Sequence, residues 1–105
     1  MNDTYNLNLA DPGLLKTRAF INGEWCDADD GAVFDVTDPA SGEVIAKIPD
    51  MGANETRRTI EAAGLAWPAW RAKTAKDRAA ILRKLYFLMM ENQEDLAQIL
   101  TAECG

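Results

Sequence analysis

The spacing of apolar positions along this chain changes once, near Gly52. Before that point they come in short runs broken by Gly, Pro, Asn and Asp. Ala19-Phe20-Ile21 and Glu24-Trp25-Cys26 flank Asn22-Gly23, a pair that tolerates positive φ and is the strongest short signal for a tight hairpin turn. Val33 to Thr37 alternates and is β-branched, and Glu43 to Ile48 forms another such run, ended by Pro49. Asp27 to Gly31 and Asp38 to Gly42 are polar turns between these runs. The pattern predicts that these short strands form a small antiparallel meander over residues 19–49. Residues 1–18 are expected to be loose, with at most a short turn of helix. Asp11 would cap that turn, Pro12 would hold its first position, and Leu14 and Leu15 would dock it.

Beyond Gly52 the period becomes helical. Ile60, Ala63 and Trp67 fall on one face of a helix over Asn54 to Trp67, with Ala62, Ala66 and Trp70 beside them. Pro68 is expected to end or kink this helix near Ala66 to Trp67. Thr74 reads as the cap of the next helix, with Asp77 at the usual capping-box position. Ile81, Leu82, Leu85, Leu88 and Met89 give that helix a wide apolar face. Asn92 with Asp95 predicts a kink or restart, after which Leu96, Ile99 and Leu100 continue the face. The fold class is therefore α+β: a small antiparallel β-meander followed by a helical hairpin of two or three helices over residues 53–105, with no βαβ crossover.

Composition narrows the function. At 105 residues, 48% hydrophobic and 27% charged, the chain suits one small globular domain. The net charge of −6 is concentrated in residues 1–50, where ten acids face only Lys16, Arg18 and Lys47. This argues against nucleic-acid binding, which needs clustered cations. The basic stretch from Arg71 to Lys84 reads as a solvated helix face. No run approaches the ~20 apolar residues of a membrane span. Met1-Asn2-Asp3-Thr4-Tyr5-Asn6 lacks the features of a signal peptide, so a cytoplasmic protein is expected. Cys26 and Cys104 are expected to be free thiols.

Chemistry is thin. The chain has no histidine, which removes Ser-His-Asp and Cys-His nucleophile pairs and HExxH metal sites. Its seven glycines form no phosphate-binding motif. Glu103 and Cys104 suggest a base beside a thiol, but they end a long helix, where the dipole opposes a thiolate. Cys26 borders an acidic turn and is equally unsuited. Asp27, Asp29 and Asp30 lack the spacing of a calcium loop and read as a solvated turn. Trp25, Trp67 and Trp70 are expected to fill the interface between meander and helices. No catalytic, cofactor-binding or metal-binding residue is expected in this chain. The apolar helix faces exceed what one meander covers, which calls for a partner surface. Gly105 reads either as the glycine that closes the last helix or as a point where a longer sequence was cut.

Several segments carry a resemblance. Phe20-Ile21-Asn22-Gly23-Glu24-Trp25 resembles the opening strand motif of NAD(P)-dependent aldehyde dehydrogenases. Val36-Thr37-Asp38-Pro39 with Ser41-Gly42-Glu43-Val44-Ile45 resembles that family's NPATGEVI segment, with Asp38 where Asn is commoner. Trp70-Arg71, Thr74 to Arg78, Ile81-Leu82-Arg83 and Thr101 to Gly105 fit as well. Met51-Gly52, Glu55-Thr56-Arg57, Pro68 to Arg71, Leu88 to Glu91 and Gln93 resemble the bacterial succinate-semialdehyde dehydrogenase branch.

The resemblance spans about Leu14 to Gly105 and implies a parent enzyme. In that enzyme a cysteine thiolate attacks the aldehyde, hydride passes to NAD or NADP, and a glutamate activates the hydrolytic water. The family's Gly-Gln-x-Cys and Glu-Leu-Gly-Gly motifs do not occur here. The resemblance thus implies an inactive N-terminal structural part of a coenzyme-binding domain that holds no coenzyme itself. Its partners would be the rest of the parent polypeptide and further copies in a homo-oligomer. Some members bind a monovalent cation near the positions of Val36 and Glu103; the match is positional only and is not counted as a site. The alternative reading is a free-standing interaction module that docks through its apolar helix face.

Overall fold

The computed structural model describes residues 5–105. Asn22 and Gly23 both take positive φ, 52° and 79°. This mirror-image turn matches the twist of the two strands it joins. They are β1 (Ala19–Ile21) and β2 (Glu24–Cys26), antiparallel with Ile21 opposite Glu24. A second hairpin pairs β3 (Val33–Thr37) with β4 (Val44–Pro49), with a register irregularity between Val36 and Thr37. Asp38 builds its turn. Its N–H donates to the Glu43 carbonyl at 2.9 Å and its Oδ1 accepts the Ala40 N–H at 2.8 Å. Gly42 supplies the positive φ, 77°.

The strands precede the helices, so the α+β class holds. The single meander does not: the strands form two separate two-stranded sheets. The linker between them explains the difference. The Asp29 N–H donates to Glu55 Oε2 at 3.2 Å, and its carboxylate pairs with Arg58. The linker is tied to the first helix instead of folding β3 back onto β2.

Asp11 Oδ1 accepts the Gly13 N–H at 3.0 Å and caps a 3₁₀ turn at Pro12–Leu14, as its position before Pro12 predicts. The helices are α1 (Ala53–Ala72), α2 (Ala75–Glu91) and α3 (Gln93–Cys104). Pro68 neither ends nor interrupts α1. Proline removes one intrahelical bond, leaving the Gly64 carbonyl without its helical donor. Residues 64 and 68 are both exposed, so water can meet that carbonyl and the cost stays small enough for the helix to continue. Thr74 caps α2 as expected, its Oγ1 accepting the Asp77 N–H at 3.1 Å. The restart at Asn92 is also present, with a different cap. Asn92 Nδ2 donates backward to the Leu88 carbonyl at 2.8 Å, and its side chain does not cap α3.

The interior is small. Ala28 and Ala102 are the only buried hydrophobic residues among those described. The radius of gyration is 16.9 Å, against about 13 Å for a compact domain of this length. The accessible surface is 8228 Å², against about 5,800 Å² for a compact monomer of this mass. In α2, Ile81, Leu82 and every residue from Leu85 to Met90 stand exposed. Trp25 and Trp67 do not fill a sheet–helix interface. Trp25 packs on Phe20 at 4.9 Å between ring centroids, under the Lys16 ammonium, while Trp67 is 51% exposed. The hairpins barely touch the helices, so no such interface exists to be filled.

Candidate functional site

Among the described residues three carboxylates are buried: Glu55, Asp38 and Asp95. A buried charge persists only when it is well hydrogen-bonded, and each of these receives donors. Glu55 lies in the first turn of α1. Its Oε1 accepts the Gly52 N–H at 3.2 Å and its Oε2 the Asp29 N–H at 3.2 Å, joining the helix start to the linker. Beside it, Arg58 clasps Asp29 through two nitrogens, at 2.9 and 2.6 Å. That clasp lowers the Asp29 carboxyl below the ordinary carboxylate range and raises the guanidinium.

Asp38 accepts the Tyr5 hydroxyl at 2.5 Å through Oδ2. The Tyr5 bond, then the Ala40 N–H, holds Asp38 below the ordinary range, and the same carboxylate raises the Tyr5 phenol. Asp95 lies in the first turn of α3, where a negative charge suits the helix dipole. Its Oδ1 and Oδ2 accept the N–H groups of Ala10 and Asp11 at 2.8 and 2.9 Å. One turn on, Gln98 brackets Asn8. Its Oε1 accepts the Asn8 N–H at 3.1 Å, and its Nε2 donates to the Asn8 carbonyl at 3.0 Å.

These groups hold backbone and neighbouring side chains. Glu103 and Cys104 stand exposed at the end of α3, as their place in the sequence predicts. Gly105 follows with φ 84°, its N–H closing on the Thr101 carbonyl at 2.9 Å. Cys26 and Cys104 are free, and the Cys26 thiol donates to the Glu24 carbonyl at 3.4 Å. The three acids of the linker separate. Asp27 pairs with Arg18, Asp29 with Arg58, and Asp30 accepts the Ala32 N–H. Among the described residues no three His, Cys, Asp or Glu side chains gather as metal ligands. Both sheets are antiparallel, so the described residues contain no parallel strand–helix crossover. Among them, no helix is long and apolar enough to cross a membrane.

Sequence reasoning missed the roles of Glu55, Asp95, Gln98 and Tyr5. Glu55 alone left a local signal, three residues after the helix-opening Gly52, as in a capping box. The partners of Asp95, Gln98 and Tyr5 lie 33 to 90 residues away along the chain.

Two antiparallel hairpins followed by three helices make up the described residues. The chain belongs to the aldehyde dehydrogenase family, whose model matches residues 25–105. Over 99 residues it is 57% identical to glutarate-semialdehyde dehydrogenase of Pseudomonas putida, covering 94% of this chain and 21% of that protein. It is 54% identical over 99 residues to the NADP(+) succinate-semialdehyde dehydrogenase of Escherichia coli, covering 94% of this chain and 20% of that protein. The crystal structure of succinate-semialdehyde dehydrogenase from Burkholderia pseudomallei superposes with a TM-score of 0.87 at 55% identity, covering 90% of this chain and 20% of that one. The chain thus spans about a fifth of the length of the curated relatives it matches.

Proposed function

We propose that these residues are the N-terminal structural layer of a dehydrogenase that oxidises succinate semialdehyde to succinate with NAD or NADP. The observation that carries this reading is the bare apolar surface of α2 in a chain matching only a fifth of its semialdehyde-dehydrogenase relatives. A helix apolar over most of its circumference suits burial on several sides. Arg78 Nε is buried without a hydrogen-bond partner, as at a surface that meets a further segment. On this reading the thiolate and the general base belong to later sequence, and the 105 residues alone are inactive. The whole enzyme is a cytoplasmic homo-oligomer. The residues present do not fit a coenzyme, so its binding also falls to the rest of the polypeptide.

The test compares the purified 105-residue chain with the polypeptide encoded by the continuing reading frame. Both are given succinate semialdehyde with NAD and with NADP. Reduced coenzyme should form only with the longer protein. Turnover by the short chain sinks the scaffold reading, and a longer protein inert toward succinate semialdehyde sinks the substrate assignment. A reading frame that stops after Gly105 would instead favour a free-standing module docking through α2.

A further inference from the structure

We propose that residues 5–11 are a strap that locks α3 onto the Asp38 turn, with Asp95 and Gln98 as its catch. Hairpins and helices share few direct contacts, so whatever spans them sets their relation. The strap has no regular secondary structure, and at its start the Leu7 N–H donates to the Tyr5 carbonyl at 3.2 Å. Tyr5, Leu7 and Leu9 are half-buried while Asn6, Asn8 and Ala10 are exposed, so one face of the segment is covered.

Its fastening is unusual for such a segment, because side chains of a helix take the place of a neighbouring strand. Gln98 satisfies both backbone groups of Asn8, and the two Asp95 oxygens accept the N–H groups of Ala10 and Asp11. At the other end the Tyr5 hydroxyl donates to Asp38, the residue that builds the β3–β4 turn. Between the two ends lies a cleft of about 330 Å³ lined by Tyr5, Leu7, Asp38, Gln98, Thr101 and Ala102. The end of α3 meets the same turn directly, since a Cβ built on Gly105 would come 3.3 Å from both the Ala40 nitrogen and Pro39 Cβ. The strap and the Gly105 contact together close α3 on the turn. With so little apolar burial in the strap, the lock depends on the catch. This inference stands apart from the dehydrogenase reading and survives its failure.

Amide hydrogen exchange in the full-length polypeptide tests it, with Asp95→Ala and Gln98→Ala compared with the parent. Losing two charge-assisted bonds should speed exchange in residues 5–11 by about tenfold or more. The increase should extend to residues 97–105, while α1 and α2 keep their parent rates. Gln98→Ala should give a smaller rise over the same two segments. Faster exchange confined to residues 5–11 would show a local bond and no lock. An equal rise in all three helices would show general destabilisation, and either result overturns the proposal. Should Asp95→Ala fail to fold, Gln98→Ala with Tyr5→Phe decides, and parent rates at residues 97–105 in both would refute it.

Discussion

Arg58 and Asp29 show how much a single pair can settle in a molecule with almost no core. The linker acids read from sequence as a solvated turn, and Asp29 is still half exposed. It is nonetheless held in place by a guanidinium 29 residues away, a separation at which nothing in the local sequence marks the pair. Because the clasp lowers the Asp29 carboxyl, its stabilising effect is present above the ordinary carboxylate range and fades as pH falls through the lowered native value. Arg58→Gln should return the Asp29 titration midpoint toward the ordinary range, as read by carboxyl NMR shifts against pH. A midpoint that does not move would mean the pair is absent in solution. Asp38 follows the same sign, and Tyr5→Phe should raise its midpoint by removing the leading cause of its shift.

At the scale of the elements, local rules did well wherever both partners lie within a few residues. The positive-φ Asn22-Gly23 turn, the Asp11 cap and the Thr74 cap are where the sequence puts them. Thr74→Ala should therefore lower stability by about 1 kcal/mol, seen as a lower midpoint in circular-dichroism melts. Pro68 does not end its helix: it sits inside α1, where the Gly64 carbonyl that it leaves without a donor faces water. Pro68→Ala restores the missing bond and should raise the helical signal and the melting midpoint. A fall in either would mean that the proline is used for packing. Asn92 and Asp95 were legible as a break but not as what they do. One ties back to α2 and the other takes hold of residues 10 and 11.

At the scale of the whole molecule, the surplus surface dominates. About 2,400 Å² more is exposed than a compact monomer of this mass shows, and apolar patches far smaller than that mark docking surfaces. The isolated 105-residue chain should self-associate as concentration rises in sedimentation velocity, and Leu85→Asp, in the middle of the bare face, should shift it toward monomer. A clean monomer at every concentration would count against the face as a sticky surface. Inside a longer polypeptide that buries α2, the same substitution should cost about 3 kcal/mol or more.

By itself the sequence determined the order of strands and helices, the α+β class, the turns and most caps. These depend on backbone preferences and partners within about four residues. It also determined, by composition, that the chain has no histidine and, by spacing, that its seven glycines form no phosphate-binding motif. Only the tertiary structure decided that the strands form two sheets, that Trp25 and Trp67 find no sheet–helix interface, and that Glu55, Asp38 and Asp95 are buried. Each of those outcomes depends on groups brought together from distant parts of the chain. A short-range pattern carries no record of which distant N–H a carboxylate will meet.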